Sequence, residues 1–453
     1  MCYTILWLEI YSRYWWVNAV RRTRSQIMPG VYLTCLQTDK FKTGLLSVNL
    51  LTRLSRDTAS QNALIPSVLR RGTVRWPDMD ALAARLDSLY GARLEPVARK
   101  MGEIQSIGFW ADFVDDAYLP EGESAGLLED VAELMGQVLL SPNTRGGLLL
   151  PKYVDSEKEK LLEDIRARIN DKIGYSRFRL TELMCAAEDY AVDVLGTEEE
   201  AQSIGYVALT RHYKELLATS PVEIFYCGTA DSARVERAVT DALATLPRGE
   251  LDMDLGTDVR MNALEEQVRY FVEDMDVTQG KLAIGYRLGD AMEDPDMAAL
   301  RVMNTVFGAG ASSKLFMNVR EKLSLCYFAS SGIDLMKGVM VVISGIEAEN
   351  YDLAREEIAR QLKAVQDGQI TDEEMDAAKK GLVNDLLSAA DSAGSLEAFW
   401  LNQNLLGLDY GPEELAALVE DVTRADVVKA AAGIECDAVY FIRPDQEDDD
   451  AED

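Results

Sequence analysis

Two pairs of side chains in this chain are spaced as chemistry would need, while one residue type that much chemistry requires is almost missing. Glu157 and Asp164 lie seven residues apart, about two helical turns, so a helix would present both carboxylates on one side. Arg320 and Tyr327 have the same separation in Arg320-Glu321-Lys322-Leu323-Ser324-Leu325-Cys326-Tyr327. Read from spacing alone, the first pair is a solvated, charged helix face; in the second, the arginine is solvated and the tyrosine packs. The chain has one histidine, His212, in Thr210-Arg211-His212-Tyr213-Lys214-Glu215. A helical zinc site needs two imidazoles about one turn apart plus a carboxylate. His212 cannot supply that, and it lies in no nucleophile-base motif. It is expected at the surface or half-buried on a polar helix. Lys314 follows the glycine-rich run Phe307-Gly308-Ala309-Gly310-Ala311-Ser312-Ser313. It is neither preceded by glycine nor followed by Ser or Thr, as a phosphate loop requires. The glycines are expected to allow a tight turn between helices.

Composition narrows the partners. The chain carries a formal charge of −31 over 453 residues, which argues against binding a nucleic-acid backbone. Acidity on this scale keeps a protein soluble and can attract basic partners. The hydrophobic fraction of 48% supplies a large core. The six cysteines are scattered among apolar neighbours with no C-x-x-C pair, which predicts reduced, mostly buried thiols and a cytoplasmic protein. No run of 18 apolar residues predicts a membrane span. Residues 1–27 are aromatic-rich, but Glu9 and Arg13 interrupt the apolar run, and no small-residue cleavage site follows. They read as an overlong start, with the true chain beginning near Met28, or alternatively as an amphipathic surface anchor. The end, 444–453, is almost purely acidic and is expected to be disordered through self-repulsion.

The rest reads as one unit used twice, 28–250 and 251–443. Strand-like Gly44–Leu50 and Gly280–Tyr286 lie 236 positions apart, as do Gly72 and Gly308. An apolar helical face (Leu127, Leu128, Val131, Leu134, Met135, Val138) has a counterpart in Leu353, Ala354, Ile358, Leu362 and Val365. Each half then opens a charged helix with a capping box, Ser156-x-x-Glu159 and Thr371-x-x-Glu374, and closes on a strand, 222–226 and 438–441. The linker Leu246–Gly256 is polar and holds Pro247 and two glycines. The predicted class is α+β: two homologous halves, each a mixed, mainly antiparallel sheet covered by helices.

Over roughly 30–443 the chain resembles the insulinase and mitochondrial-processing-peptidase family of zinc metallopeptidases, in particular its small bacterial members that work as pairs. The resemblance rests on Ala63 through Thr73, on Leu89-Tyr90-Gly91-Ala92, on Glu157 through Ile165, and on Gly308 through Phe316 running into Arg320-Glu321-Lys322 and Tyr327. Active members carry H-x-x-E-H followed by a Gly-Thr. Counting back from Gly72-Thr73 puts the first metal ligand at Ala63, the general base at Pro66 and the second ligand at Ser67. Alanine has no donor atom, proline cannot take a proton, and a serine hydroxyl is a poor neutral ligand. Pro66 inside a helix would also cost about 3 kcal/mol. The helix with two acids seven apart, which supplies the third ligand in active members, maps to Glu157 and Asp164.

The resemblance implies no metal in this chain and a role for Arg320 and Tyr327 in trans. In the family, an arginine and a tyrosine of the second half face a zinc site on the other domain or chain. There the guanidinium binds the peptide and the phenol can donate to the oxyanion. The expectation is a catalytically incomplete subunit that pairs with an H-x-x-E-H zinc homologue acting on a peptide. The alternative is a non-enzymatic peptide- or protein-binding scaffold of the same fold. Zinc-less members that this chain resembles are associated with elongation factor P modification, which the resemblance extends here only as an implication. Ser324 departs from the glycine that active members usually have at that position.

Overall fold

The structure, a computed structural model, describes residues 21–445 apart from 121–125, 257–258, 261, 264 and 294–296. The described chain divides into two compact units. One takes the chain up to Ile165 with Val194–Leu255 and Ser392–Asn402. The other takes Arg166–Asp193, Gly256–Asp391 and the chain from Gln403 onward. The exchange of 166–193 and 392–402 between units left no signal in the sequence.

The first unit is built on β1 (Arg21–Met28), β2 (Val31–Gln37), β3 (Thr43–Arg53), β4 (Arg93–Met101) and β5 (Ile104–Val114). A two-stranded ribbon, β6 (Thr144–Arg145) and β7 (Leu148–Leu149), stands apart, and β8 (Val222–Gly228) completes the main sheet. The strand order is β1-β2-β8-β3-β5-β4, with only β2 and β8 parallel. Strand alternation sorts β3 cleanly. Leu46, Val48 and Leu50 enter a core shared with helices Ala59–Leu69, Leu127–Leu140 and Tyr206–Thr219. Ser47 and Asn49 point the other way but are also buried. They donate to the Glu397 carboxylate at 3.0 and 3.2 Å, and Arg99 pairs with it at 2.7 Å. Glu397 belongs to the exchanged segment, so the polar face of this strand meets protein rather than water.

The second unit repeats the plan with β9 (Arg269–Met275), β10 (Gly280–Arg287), β11 (Cys326–Asp334), β12 (Val339–Ile346) and β13 (Glu435–Pro444). Its order, β11-β12-β10-β13-β9 with β13 and β9 parallel, matches β4-β5-β3-β8-β2 strand for strand. The expected α+β duplication is therefore present in the connectivity itself. Here too an exchanged glutamate, half-buried, turns its carboxylate inward. Arg287, fully buried, donates to Glu188 at 2.6 Å and to Asp437 at 2.8 Å, and Lys337 reaches Glu188 at 2.7 Å. Burial works against ionisation of Glu188, but the two cations outweigh it and hold the carboxyl below its ordinary range.

Three local expectations need correction. Residues 21–28 do not stand outside the fold: β1 pairs antiparallel with β2 over most of its length. Arg24 crosses to Glu223 in a two-point contact at 2.6 and 2.7 Å, and the Arg22 guanidinium lies 3.8 Å over the Trp400 ring. Charged side chains hid this strand from a hydrophobicity reading, yet an edge strand accommodates them readily. The charged helix of the first half begins at Pro151, leaving Ser156 in its interior with no capping role. Proline is preorganised for a first turn and needs no amide partner there. The matching box in the second half, Thr371 with Glu374, is present with both bonds made. Leu353 is 58% exposed, one position off the buried stripe of Ala354, Ile358, Leu362 and Val365. Residues 1–20 and the acidic stretch 446–453 lie outside the described residues. Among the described residues, no helix is long and apolar enough to cross a membrane.

Candidate functional site: a converted metal motif and an exposed arginine-tyrosine segment

The helix Ala59–Leu69 carries the converted motif. Pro66 lies in its interior, so the Asn62 carbonyl loses the amide that an ordinary helix would offer. The helix survives because Ala63, Leu64, Ile65, Val68 and Leu69 all enter the core. Ala63 and Pro66 are buried, and Ser67 is half-buried. Beyond the helix, Gly72 has φ +154°, and a Cβ there would come within 2.6 Å of the Pro77 carbonyl oxygen. Thr73 is fully buried and its hydroxyl accepts from the Trp76 amide at 2.9 Å. The Gly-Thr pair thus makes a turn that needs no metal.

Glu157 and Asp164 part company in the fold. Asp164 is exposed, as expected, but Glu157 is buried. Its carboxylate accepts from Arg71 Nη1 at 2.9 Å and from Lys160 Nζ at 2.9 Å. Arg71 also stacks over Tyr153, 5.3 Å from ring centre. Two protein cations therefore satisfy the carboxylate that would otherwise serve as third ligand. Together with Ala63, Pro66 and Ser67, this donor set does not fit a zinc ion. Among the described residues, no three His, Cys, Asp or Glu side chains converge as a metal-ligand group.

The single histidine borders this helix. Gln105 Nε2 donates to the carbonyls of Ala59 and Val194, at 3.0 and 2.7 Å, which fixes its amide orientation. Its Oε1 must then accept from Asn62 Nδ2 at 2.8 Å, so Asn62 Oδ1 faces His212 Nε2 at 2.6 Å as an acceptor. His212 is half-buried and carries its proton on Nε2. Burial lowers its pKa, which keeps the ring neutral near pH 7. A polar chain thus braces the motif helix where an active peptidase would carry ligands. Neither it nor the Arg71–Glu157 pair was foreseen from the sequence, although Arg71 stands directly before the motif's Gly72.

The second-half segment is open to solvent. Helix Ala298–Asn304 runs into a π-helical turn, Thr305–Ala309, and after the glycine-rich turn a second π-helix spans Leu315–Lys322. Lys314 is buried and gives its ammonium to Glu374 at 2.8 Å, which removes it as a phosphate ligand. Arg320 lies on the second π-helix with its guanidinium 4.6 Å over the Phe316 ring and 3.5 Å from Glu321. Tyr327, on β11, is 63% exposed. The Glu347 carboxylate beside it pushes the phenol's ionisation upward. The two side chains flank Ser324, whose φ of +51° is the left-handed value that favours glycine. The amides of Ser324 and Leu325 close the helix onto the carbonyls of Arg320 and Val319 at 3.0 Å, a Schellman-like ending widened by the π-turn.

This fold and this loss of ligands coincide with sequence kinship. The chain is 34% identical over 416 residues to the probable inactive metalloprotease YmfF of Bacillus subtilis (strain 168), covering 91% of this chain and 96% of that one. Residues 203–382 match the family described as the Peptidase M16 inactive domain. The chain belongs to the M16 metallopeptidase family. Among solved structures, a conserved protein from Enterococcus faecalis V583 superposes with a TM-score of 0.85 at 28% identity, over 94% of this chain and 100% of that one. A peptidase M16 inactive domain from Pseudomonas fluorescens shares the fold with a TM-score of 0.74 at 16% identity, over 94% and 99%.

Proposed function

We propose that this chain is the non-catalytic subunit of a two-chain peptidase whose zinc is held by an H-x-x-E-H homologue. Arg320 and Tyr327 would meet the peptide bound at that partner's site. The observation that carries this reading is the contrast between the two halves. The metal positions have become a neutral, core-packed helix with its remaining acid ion-paired, while the arginine and tyrosine stay solvent-facing on an ordered π-helix and strand. Packing alone would not keep a tyrosine 63% exposed beside a strained turn. In the pair, the partner's zinc would activate water and polarise the scissile carbonyl. The Arg320 guanidinium would hold a peptide carbonyl or terminal carboxylate, and the Tyr327 hydroxyl would donate to the developing oxyanion.

The acidic neighbour Glu347, which works against an anionic partner at Tyr327, favours a second reading, a scaffold that binds a peptide or protein without cleaving it, in line with the elongation factor P association that the family resemblance implies. Co-expression with the H-x-x-E-H homologue separates the two. The pair should co-purify and cleave peptides, while neither chain does so alone. A homologue that cleaves at full rate without this chain would leave only the scaffold.

A further inference from the structure

The duplication leaves one strand position without a strand partner among the described residues. In the first unit, β2 is covered on its outer edge by β1. Its counterpart β9 pairs with β13 on one side, and among the described residues no strand pairs with its outer edge. The same edge thus recurs in both units and, among the described residues, carries a further strand only in the first. An uncovered edge presents a row of backbone donors and acceptors to any extended chain.

The two faces of β9 state what an incoming strand must carry. On one face Tyr270 and Val272 are 53% and 54% exposed. Beside them a cleft of about 240 Å³ opens between the sheet and helix Tyr351–Gln366, walled by Tyr270, Ile284, Ala359, Leu362 and Val439. On the opposite face, Glu273 keeps a third of its side chain exposed, although Tyr175, Tyr440 and Arg179 bond to it. Side chains alternate along a strand, so an added strand would send every second residue toward the cleft and the others toward Glu273. In the first unit, the strand in this position is basic, and its Arg24 side chain reaches across β2 to an acid, Glu223, on β8. The chain's own tail beyond Asp445 is acidic and has the wrong sign for this face.

We propose that the outer edge of β9 and its cleft form a docking site for an extended segment of a partner protein that alternates apolar and basic side chains. Backbone bonds to β9 would give affinity, the cleft would select an apolar side chain, and Glu273 with the net charge of −31 would favour the basic ones. This site is separate from Arg320 and Tyr327 and does not depend on the peptidase reading.

The test uses the full chain and a fluorescein-labelled nine-residue peptide alternating Val or Leu with Lys or Arg, followed by anisotropy. Micromolar binding is expected, together with slowed amide exchange confined to β9. Val272→Asp changes an exposed residue, and Ala359→Trp fills the cleft from an exposed helical position. Each should weaken binding at least tenfold with an unchanged melting temperature. The same peptide with Glu for Lys and Arg should not bind. Absence of binding, equal binding of the acidic peptide, or full affinity in both variants would overturn the proposal.

Discussion

Replacing Arg71 with methionine probes how this chain compensates for its missing metal. The substitution keeps much of the stem that lies over Tyr153 and removes the guanidinium from Glu157. Breaking a buried ion pair by deleting one partner costs about 3–5 kcal/mol when both groups are fully desolvated. Here Glu157 is 7% exposed, but Arg71 is 27% exposed and Lys160 remains at 2.9 Å, so the cost should fall to about 2 kcal/mol. For a unit of this size that corresponds to roughly 4–8 °C in melting temperature. Glu157→Gln in the same background should recover part of the loss, because it removes the charge that lost its partner. A double-mutant cycle by thermal and urea unfolding measures this coupling directly. If Arg71→Met leaves the melting temperature unchanged and Glu157→Gln acts identically in both backgrounds, the cation pair does not hold this site and the reasoning fails.

Other expectations follow from single features. Ser324→Gly should raise stability by about 1 kcal/mol, since glycine adopts φ +51° without a Cβ penalty; calorimetry showing no gain would place the strain elsewhere. His212 has a folded pKa below its unfolded value near 6.5, so its contribution is complete above that pH and is lost as pH falls through the folded pKa. Stability should therefore decline on acidification from about pH 6.5, and His212→Gln should flatten that slope in urea titrations. Burial pushes the Cys35, Cys227 and Cys436 thiols up to about 12, so mass mapping should find these three labelled slowly by a thiol reagent at pH 8 in the native protein and promptly once it is unfolded.

Much of the fold could be read because its signals are local. The alternation in Gly44–Leu50 and Gly280–Tyr286, the apolar stripe from Leu127 and the Thr371 box each describe one element whose pattern survives into the structure. The losses were non-local. Ser47 and Asn49 look like a solvent face, and only the exchanged Glu397 makes them interior. β1 looked foreign because its arginines find their partners on β8 and in the exchanged segment. At the site, the absence of ligands at 63, 66 and 67 was explicit in residue type. That Glu157 is buried required knowing that Arg71, 86 positions away, turns back onto it. Glu157 and Asp164 share a spacing but not an environment, and periodicity alone does not distinguish them.

The central claim is that an ordered, solvent-facing tyrosine of this chain completes a zinc site held elsewhere. The direct test is the turnover number of the reconstituted pair carrying Tyr327→Phe, which deletes one hydroxyl from an exposed side chain and leaves packing intact. Loss of one oxyanion donor typically lowers kcat by about 10²–10³. The account expects a loss of that size, with unchanged melting temperature, zinc content and co-purification. Wild-type turnover by the Tyr327→Phe pair would contradict it.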